Sequence, residues 1–243
     1  MSGHSKWKNI MHKKEKTDAQ RAKIFTKIGK EIAVAVKAGG PDPVSNAKLA
    51  QLIQKAKQNN VPNDNIERTI KKALGASNET YEEIVYEGYG PAGIAVIVET
   101  TTDNRNRTAG NVRSYFSKYH GNMGQSGCVG FLFSEKGVII VSNEDGDVDE
   151  DKLMELSLEA GAEDFASEGE VFEIYTEPDD LYAVKEAIEA AGFEIASAEK
   201  DKIASTYVTL DNDDDKKFMN LLIEHLEDDD DVMNVYHNCE NCD

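Results

Sequence analysis

YEEIVYEGYGPAGIAVIVETT, residues Tyr81 to Thr101, is the stretch where the chain changes its period. Tyr81 to Glu87 and Gly93 to Thr101 are rich in Ile, Val and Tyr, and Gly88-Tyr-Gly-Pro-Ala-Gly93 separates them. β-branched and aromatic residues suit a pleated, half-buried surface, and Gly with Pro punctuates it, so the stretch predicts two strands joined by a turn. The letters Gly88-x-Gly90-x-x-Gly93 match a dinucleotide fingerprint, but that motif needs a strand feeding a helix whose N-terminus holds the pyrophosphate. Here a second strand follows, and the glycines read as turn residues.

Upstream the period is helical. Ile24, Ile28, Ile32 and Val36 recur every fourth residue with Phe25 beside them, Thr17 with Gln20 reads as a capping box, and Gly39-Gly40-Pro41 ends the segment. A second helix is expected from a Ser45 or Asn46 cap through Leu49, Leu52, Ile53 and Ala56, stopped by Asn59-Asn60 and Pro62. A third is expected from an Asn63 cap, with Ile66, Ile70 and Leu74 as its buried stripe and Gly75 past its last turn. Residues 17–75 thus read as a small helical bundle, preceded by a polar, basic arm over residues 1–16.

Downstream the two periods alternate. A helix starting near Thr108 carries Val112, Tyr115, Phe116 and Tyr119 on one side, and Cys128 to Phe133 reads as a strand. Then come strand (Val138 to Ser142), helix (Asp149 to Ala160), two strands (Ala162 to Glu168, Glu170 to Thr176), helix (Asp179 to Ala191) and strand (Phe193 to Glu199), a split βαββαβ unit. Residues 207–238 add strand, helix and strand, with Phe218, Leu221, Leu222 and Leu226 as the helix face. The pattern alone leaves open which sheet they join.

Charge divides the chain. Residues 1–75 hold sixteen Lys and Arg against six Asp and Glu, while the remainder holds eleven against forty; the net value of −19 hides this. A cationic segment attracts phosphate backbones and an acidic one is repelled by them, so a polyanion is expected to meet the basic third. Arm residues Lys6, Lys8, Lys13, Lys14 and Lys16, with His12 and the sole tryptophan, Trp7, combine phosphate-seeking charge with a stackable ring. Arg105, Arg107 and Arg113, in and after Thr102-Asp-Asn-Arg-Asn-Arg-Thr108, form a second basic cluster. Its alternatives are a phosphate grip at a helix start or an Asn-rich turn with salt-bridging arginines.

Other signals point to no chemistry. Cys239-x-x-Cys242 with His237 offers three ligands where structural zinc needs four, and is read as a frayed terminus; Cys128 is read as a small core residue. Asp213 to Asp215 suits a helix start, and Asp228 to Asp231 is read as a solvated loop. Nucleophile elbow, P-loop and paired zinc histidines are all missing from the sequence, so no catalytic residues, metal, cofactor or small-molecule substrate are expected, and no enzyme. The longest apolar run near a strand, Ile94 to Val98, is too short to cross a bilayer and the first residues lack a secretory signal, so a cytoplasmic protein with no membrane partner is expected. Three cysteines fit a reducing interior.

Gly3-His-Ser-Lys-Trp7, followed by Ile10, Lys14, Asp18, Arg21, Phe25 and Glu31-Ile32, resembles the opening signature of the YebC/PmpR family, which includes the mitochondrial translational activator of cytochrome oxidase subunit I. Val61-Pro62 with Asn65-Ile66, Tyr86 to Pro91, Thr102 to Thr108, Val112-Arg113 and Asp230 to Val232 with Val235 to Asn238 are similar to further blocks of that family. This sequence departs from it at Ala92, where glycine is usual, at Cys128, at Tyr119-His120, and in the tail beyond Asn238. The resemblance implies an α+β protein: a helical N-terminal domain, then two α+β domains, the last ferredoxin-like and inserted into the middle one. The expected boundaries are residues 1–76, residues 77–136 plus 207–243, and residues 137–206. It implies a DNA-binding transcriptional regulator, or alternatively a ribosome-associated translation factor that contacts ribosomal RNA and relieves stalling at proline-rich sequences. The residues expected to meet nucleic acid are Lys6, Trp7, Lys8, His12, Lys13, Lys14, Lys16, Arg21, Arg105, Arg107 and Arg113. The oligomeric state is not specified by the sequence.

Overall fold

The computed structural model describes residues 18–75, 80–143, 145–167 and 169–242. Thr17, half of the expected capping box, lies outside them, as does the basic arm. The described chain forms two compact units, residues 18–130 with 210–237 and residues 131–209 with 238–242.

The first unit opens with helices α1 (Asp18–Gly39), α2 (Ala47–Gln58) and α3 (Asn63–Leu74). The four-residue recurrence of α1 buries Ile28, Ile32 and Val36 against Leu49, Leu52, Ala56 and Ile66. Asn46 fastens the α1–α2 corner. Its Oδ1 accepts from the Leu49 amide at 3.1 Å and its Nδ2 donates to the carbonyls of Ala35 and Gly40, each at 2.8 Å. Two expectations are corrected in α3. Asn63 is its first helical residue, not its cap: Pro62 precedes it at φ −59°, with no side-chain cap bond. Leu74 is 56% exposed, while Ala73 is buried. From Ile66, position i+7 stays on the buried face, whereas i+8 has turned roughly 80° off it.

The same unit continues with β1 (Glu82–Tyr89), a 3₁₀ turn at Pro91–Gly93, β2 (Ala95–Thr102), α4 (Arg105–Lys118) and β3 (Asn122–Met123), and closes with α7 (Asp213–Asp228) and β8 (Val232–His237). The sheet order is β3-β1-β2-β8, all antiparallel. β8 pairs with β2, Val98 opposite Val235, so the last strand joins the sheet that starts at Glu82. The turn is a hairpin, with Ala92 at φ 52°. That left-handed conformation favours glycine, so alanine there carries strain of order 1 kcal/mol. Gly88 has a steric reason: a Cβ there would sit 2.6 Å from the Asn122 carbonyl oxygen, where β3 pairs with β1.

The expected strand from Cys128 to Phe133 is not formed. Residues 130–132 make a 3₁₀ turn, and the amides of Gly127, Val129 and Gly130 donate instead to the Glu87 carboxylate at 2.7–2.8 Å. Burial raises the Glu87 carboxyl, but the amides of Val129, Gly127 and Gly130 outweigh it and hold the group below its ordinary range. Replacing Glu87 with alanine would strand three donors, at an expected cost of about 3 kcal/mol, checked by urea unfolding of wild type and variant. On α7 the buried stripe is Met219, Leu222, Ile223 and Leu226, one position round from that expected. Phe218 lies outside it, its ring 4.1 Å from that of His120.

The second unit is β4 (Phe133–Ser142), α5 (Glu150–Glu159), β5 (Asp164–Ser167), β6 (Val171–Thr176), α6 (Leu181–Ala190) and β7 (Ile195–Ala204). Strand order β5-β6-β4-β7 is antiparallel throughout, the arrangement of a split βαββαβ fold. Ile139, Val141, Phe172 and Ile174 pack with Leu153, Leu181, Val184 and Ile188 as one core. The protein is α+β. No strand forms at residue 207 beyond a single parallel bridge from Val208 to Cys239. The tail is not frayed. Val208 N–H donates to the Asn238 carbonyl and Glu240 N–H to that of Val208, holding Cys239 and Cys242 with Cα atoms 5.7 Å apart in a buried disulfide. No described helix is long and apolar enough to cross a membrane.

Candidate nucleic-acid interface

The basic residues of the helical bundle divide into two sets, one spent inside the unit and one facing solvent. Lys23, Lys27 and Lys30 recur at i, i+4 and i+7 along one face of α1. Their ammonium groups meet the end of α7: Lys27 donates to the Glu227 carbonyl at 2.6 Å, Lys23 to that of Asp228 at 3.3 Å, and Lys30 to that of Asp230 at 2.8 Å. A helix C-terminus presents unpaired carbonyls and partial negative charge, so a lysine stripe suits it. Lys23 also pairs with the Asp228 carboxylate.

Asp231 is the centre of this contact. Its side chain is nearly inaccessible and accepts from Lys30 at 2.7 Å, Arg107 at 2.6 Å, Thr108 at 2.8 Å and Thr102 at 3.1 Å. Burial alone would raise this carboxyl, but the bonds from Lys30, Arg107 and Thr108 hold it down to about 2. The reading of Asp228 to Asp231 as a solvated loop is therefore corrected: the run is a polar joint, buried at Asp231. Its two charged partners are far apart in sequence, at positions 30 and 107, which a one-dimensional pattern does not register.

Arg107 is a strut of this joint. It also pairs with Asp103 at 2.8 Å, four residues before it, while Asn104 caps α4 by accepting from the Arg107 amide at 3.1 Å. The Asn-rich turn with a salt-bridging arginine describes this residue. Arg105 and Arg113 differ. Both are exposed, and among the described residues neither forms an ion pair. Both lie near Tyr86, whose hydroxyl donates to the Arg105 carbonyl at 3.5 Å; burial pushes that phenol up while the two guanidinium groups pull it down. Arg21 is exposed on the first turns of α1. Lys6, Trp7, Lys8, His12, Lys13, Lys14 and Lys16 lie outside the described residues.

Helix α2 adds what the sequence reading passed over. It has no Asp or Glu, and its exposed side chains include Lys48, Gln54, Lys57 and Gln58, with Lys48 paired to Glu83 at 2.6 Å. Amide and ammonium groups of this kind serve base edges and phosphates alike. Its acid-free sequence was the available signal. Among the described residues no group of three His, Cys, Asp or Glu is placed to hold a metal ion.

Comparison with known proteins adds three findings. The family description TACO1/YebC protein N-terminal domain matches residues 5–76, and TACO1/YebC second and third domain matches residues 81–239. A protein of Acetivibrio thermocellus named "Probable transcriptional regulatory protein" is 58% identical over 239 residues, covering 98% of each chain, and one of Agathobacter rectalis with the same name is 57% identical over 241 residues, covering 99% of this chain and 100% of that one. The crystal structure of a conserved hypothetical protein from Aquifex aeolicus is similar with a TM-score of 0.83 and 45% identity, covering 93% of both chains.

Proposed function

The chain belongs to the TACO1/YebC family, and on that premise we propose that it is a non-enzymatic, cytoplasmic regulator of gene expression that binds nucleic acid, acting as a DNA-binding transcriptional regulator. The contacts we propose are Lys6, Trp7, Lys8, His12, Lys13, Lys14, Lys16 and Arg21 from the leading third, with Arg105 and Arg113 as a second group. Arg107, tied to Asp103 and Asp231, orders the turn that presents them. The observation that supports this most is the uneven charge, sixteen Lys and Arg against six Asp and Glu in residues 1–75 in a chain of net charge −19. An acidic remainder repelled by phosphate orients the molecule so that its basic third leads.

The test is a salt titration of binding to a labelled 20-base-pair duplex. About five phosphate contacts would give a log K against log salt slope of roughly −4.5. A flat response would overturn the reading. Sedimentation of cell extract separates the DNA reading from its ribosomal alternative, which the same phosphate-seeking side chains support: co-migration with ribosomal particles supports action in translation, and a sequence-specific duplex shift without it supports transcription.

A further inference from the structure

Between α1 and α3 of the helical bundle runs a groove of about 310 Å³. Phe25, Gly29 and Ile32 stand at i, i+4 and i+7 on α1, so they line it from one face of that helix. Gly29 leaves a gap in this wall: a Cβ there would meet only the Thr69 methyl group, at 3.9 Å. Ile32 and Ile66 are buried and Val61 joins them in an apolar lining. Phe25 is half-buried, yet among the described residues it stands outside the bundle's core cluster and packs on no other ring, so its ring is not spent on the core. The polar groups divide in the same way. The Thr26 and Thr69 hydroxyls donate to the carbonyls of Ala22 and Asn65, at 3.0 and 2.9 Å, each within its own helix. Among the described residues the Asn65 carboxamide and the Arg68 guanidinium have no partner, and no Asp or Glu lines the groove.

These groups select one class of ligand. An aromatic ring above an aliphatic lining suits the face of a planar heterocycle, and the volume lies at the small end of ligand sites, roughly 300 Å³. A carboxamide offers a donor and an acceptor side by side, the pattern of a base edge, and a guanidinium fork matches phosphate oxygens. We propose that this groove receives one unpaired base of a nucleic-acid strand, with the base against Phe25, its edge at Asn65 and its phosphate at Arg68. On the proposed nucleic-acid function, which this site presupposes, the bundle then holds a base taken out of its stack besides gripping backbone. The occupant is a strand and not a free nucleotide. One guanidinium is a slender hold on a lone phosphate, whereas residues 18–75, beyond the three lysines tied to α7, carry eight Lys and Arg against five Asp and Glu, which favours a polyanion.

Fluorescence anisotropy with the full chain compares three labelled probes: a 20-base-pair duplex, the same duplex with one bulged adenine, and that bulge with an abasic residue in place of the adenine. The bulged duplex should bind about tenfold tighter than the perfect one, within the roughly 5- to 150-fold that stacking one base on an aromatic side chain is worth, and the abasic bulge should lose that gain. Gly29→Leu would plug the groove, and leucine is the better helix former, so the preference should vanish with the thermal midpoint not lowered and the perfect duplex bound as before. Phe25→Leu keeps apolar volume without the ring and should cut the preference several-fold. Arg68→Ala, at an exposed position, should flatten the log K against log salt slope for the bulged probe by about 0.9. Equal binding of the perfect and bulged duplexes overturns the proposal. So does a preference that the abasic bulge keeps, which would mark ease of bending as its source, or one that survives Gly29→Leu in a folded chain. The failures are distinguishable: if no probe binds, the nucleic-acid function falls and the groove's role with it, whereas a bound perfect duplex with no gain from the bulged base sinks the groove's role alone.

Discussion

Replacing Asp231 with alanine should lower the thermal midpoint by roughly 6–12 °C, on the expectation that breaking a buried ion pair costs about 3 kcal/mol and that 1 kcal/mol moves a chain of this size by about 2–4 °C. The size follows from what is left behind. Lys30, whose side chain is 14% exposed, loses its carboxylate, and the hydroxyls of buried Thr102 and Thr108 lose their shared acceptor. Arg107 loses less, because Asp103 remains and its side chain reaches solvent. Differential scanning calorimetry of wild type and variant measures the shift. A change below about 2 °C would mean the joint is held by packing, with the carboxylate contributing little.

The same group gives a pH signature with a definite sign. The Asp231 carboxyl lies at about 2 in the folded chain against an ordinary 3.8. A depressed carboxyl stabilises the fold above its unfolded value, and that contribution fades as pH falls from about 4 towards 2. The stability gap between wild type and Asp231→Asn should therefore be constant from about pH 7 to 5 and close below about pH 4. A gap unchanged at the acid end would show that charge is not its source.

The helical third and the βαββαβ unit were legible because their signals are local. The Ile24, Ile28, Ile32 and Val36 recurrence marks the buried side of α1, and strand alternation set the second sheet. The misses share a cause in tertiary partners. Whether residues 128–133 form a strand depends on where their amides donate, and the acceptor, Glu87, lies some forty residues away. Asp231 looked like one of four solvated aspartates because its partners, Lys30 and Arg107, converge only in the fold. The same geometry divides the basic residues: α1 lysines counted within the charge of the basic third are bonded to the end of α7, whereas Arg105 and Arg113 keep their charge for solvent.

That division sharpens the prediction for the leading segment. Lys13→Glu with Lys14→Glu should weaken duplex binding by roughly 100-fold or more at 0.1 M salt, since each lost phosphate contact forfeits about 0.9 log unit of counterion release there and reversal adds repulsion. Arg105→Ala should cost less, about tenfold, because it removes one contact and adds no opposing charge. Lys23→Glu has the same change of charge but is expected to act on stability, since Lys23 pairs with Asp228 and its carbonyl inside the unit. Fluorescence anisotropy across a salt series separates the outcomes. The arm variant should flatten the log K against log salt slope by roughly 2, and Lys23→Glu should leave the slope alone. If the arm variant binds as tightly as wild type with an unchanged slope, the phosphate contacts lie elsewhere and the assignment of the leading lysines to nucleic acid fails.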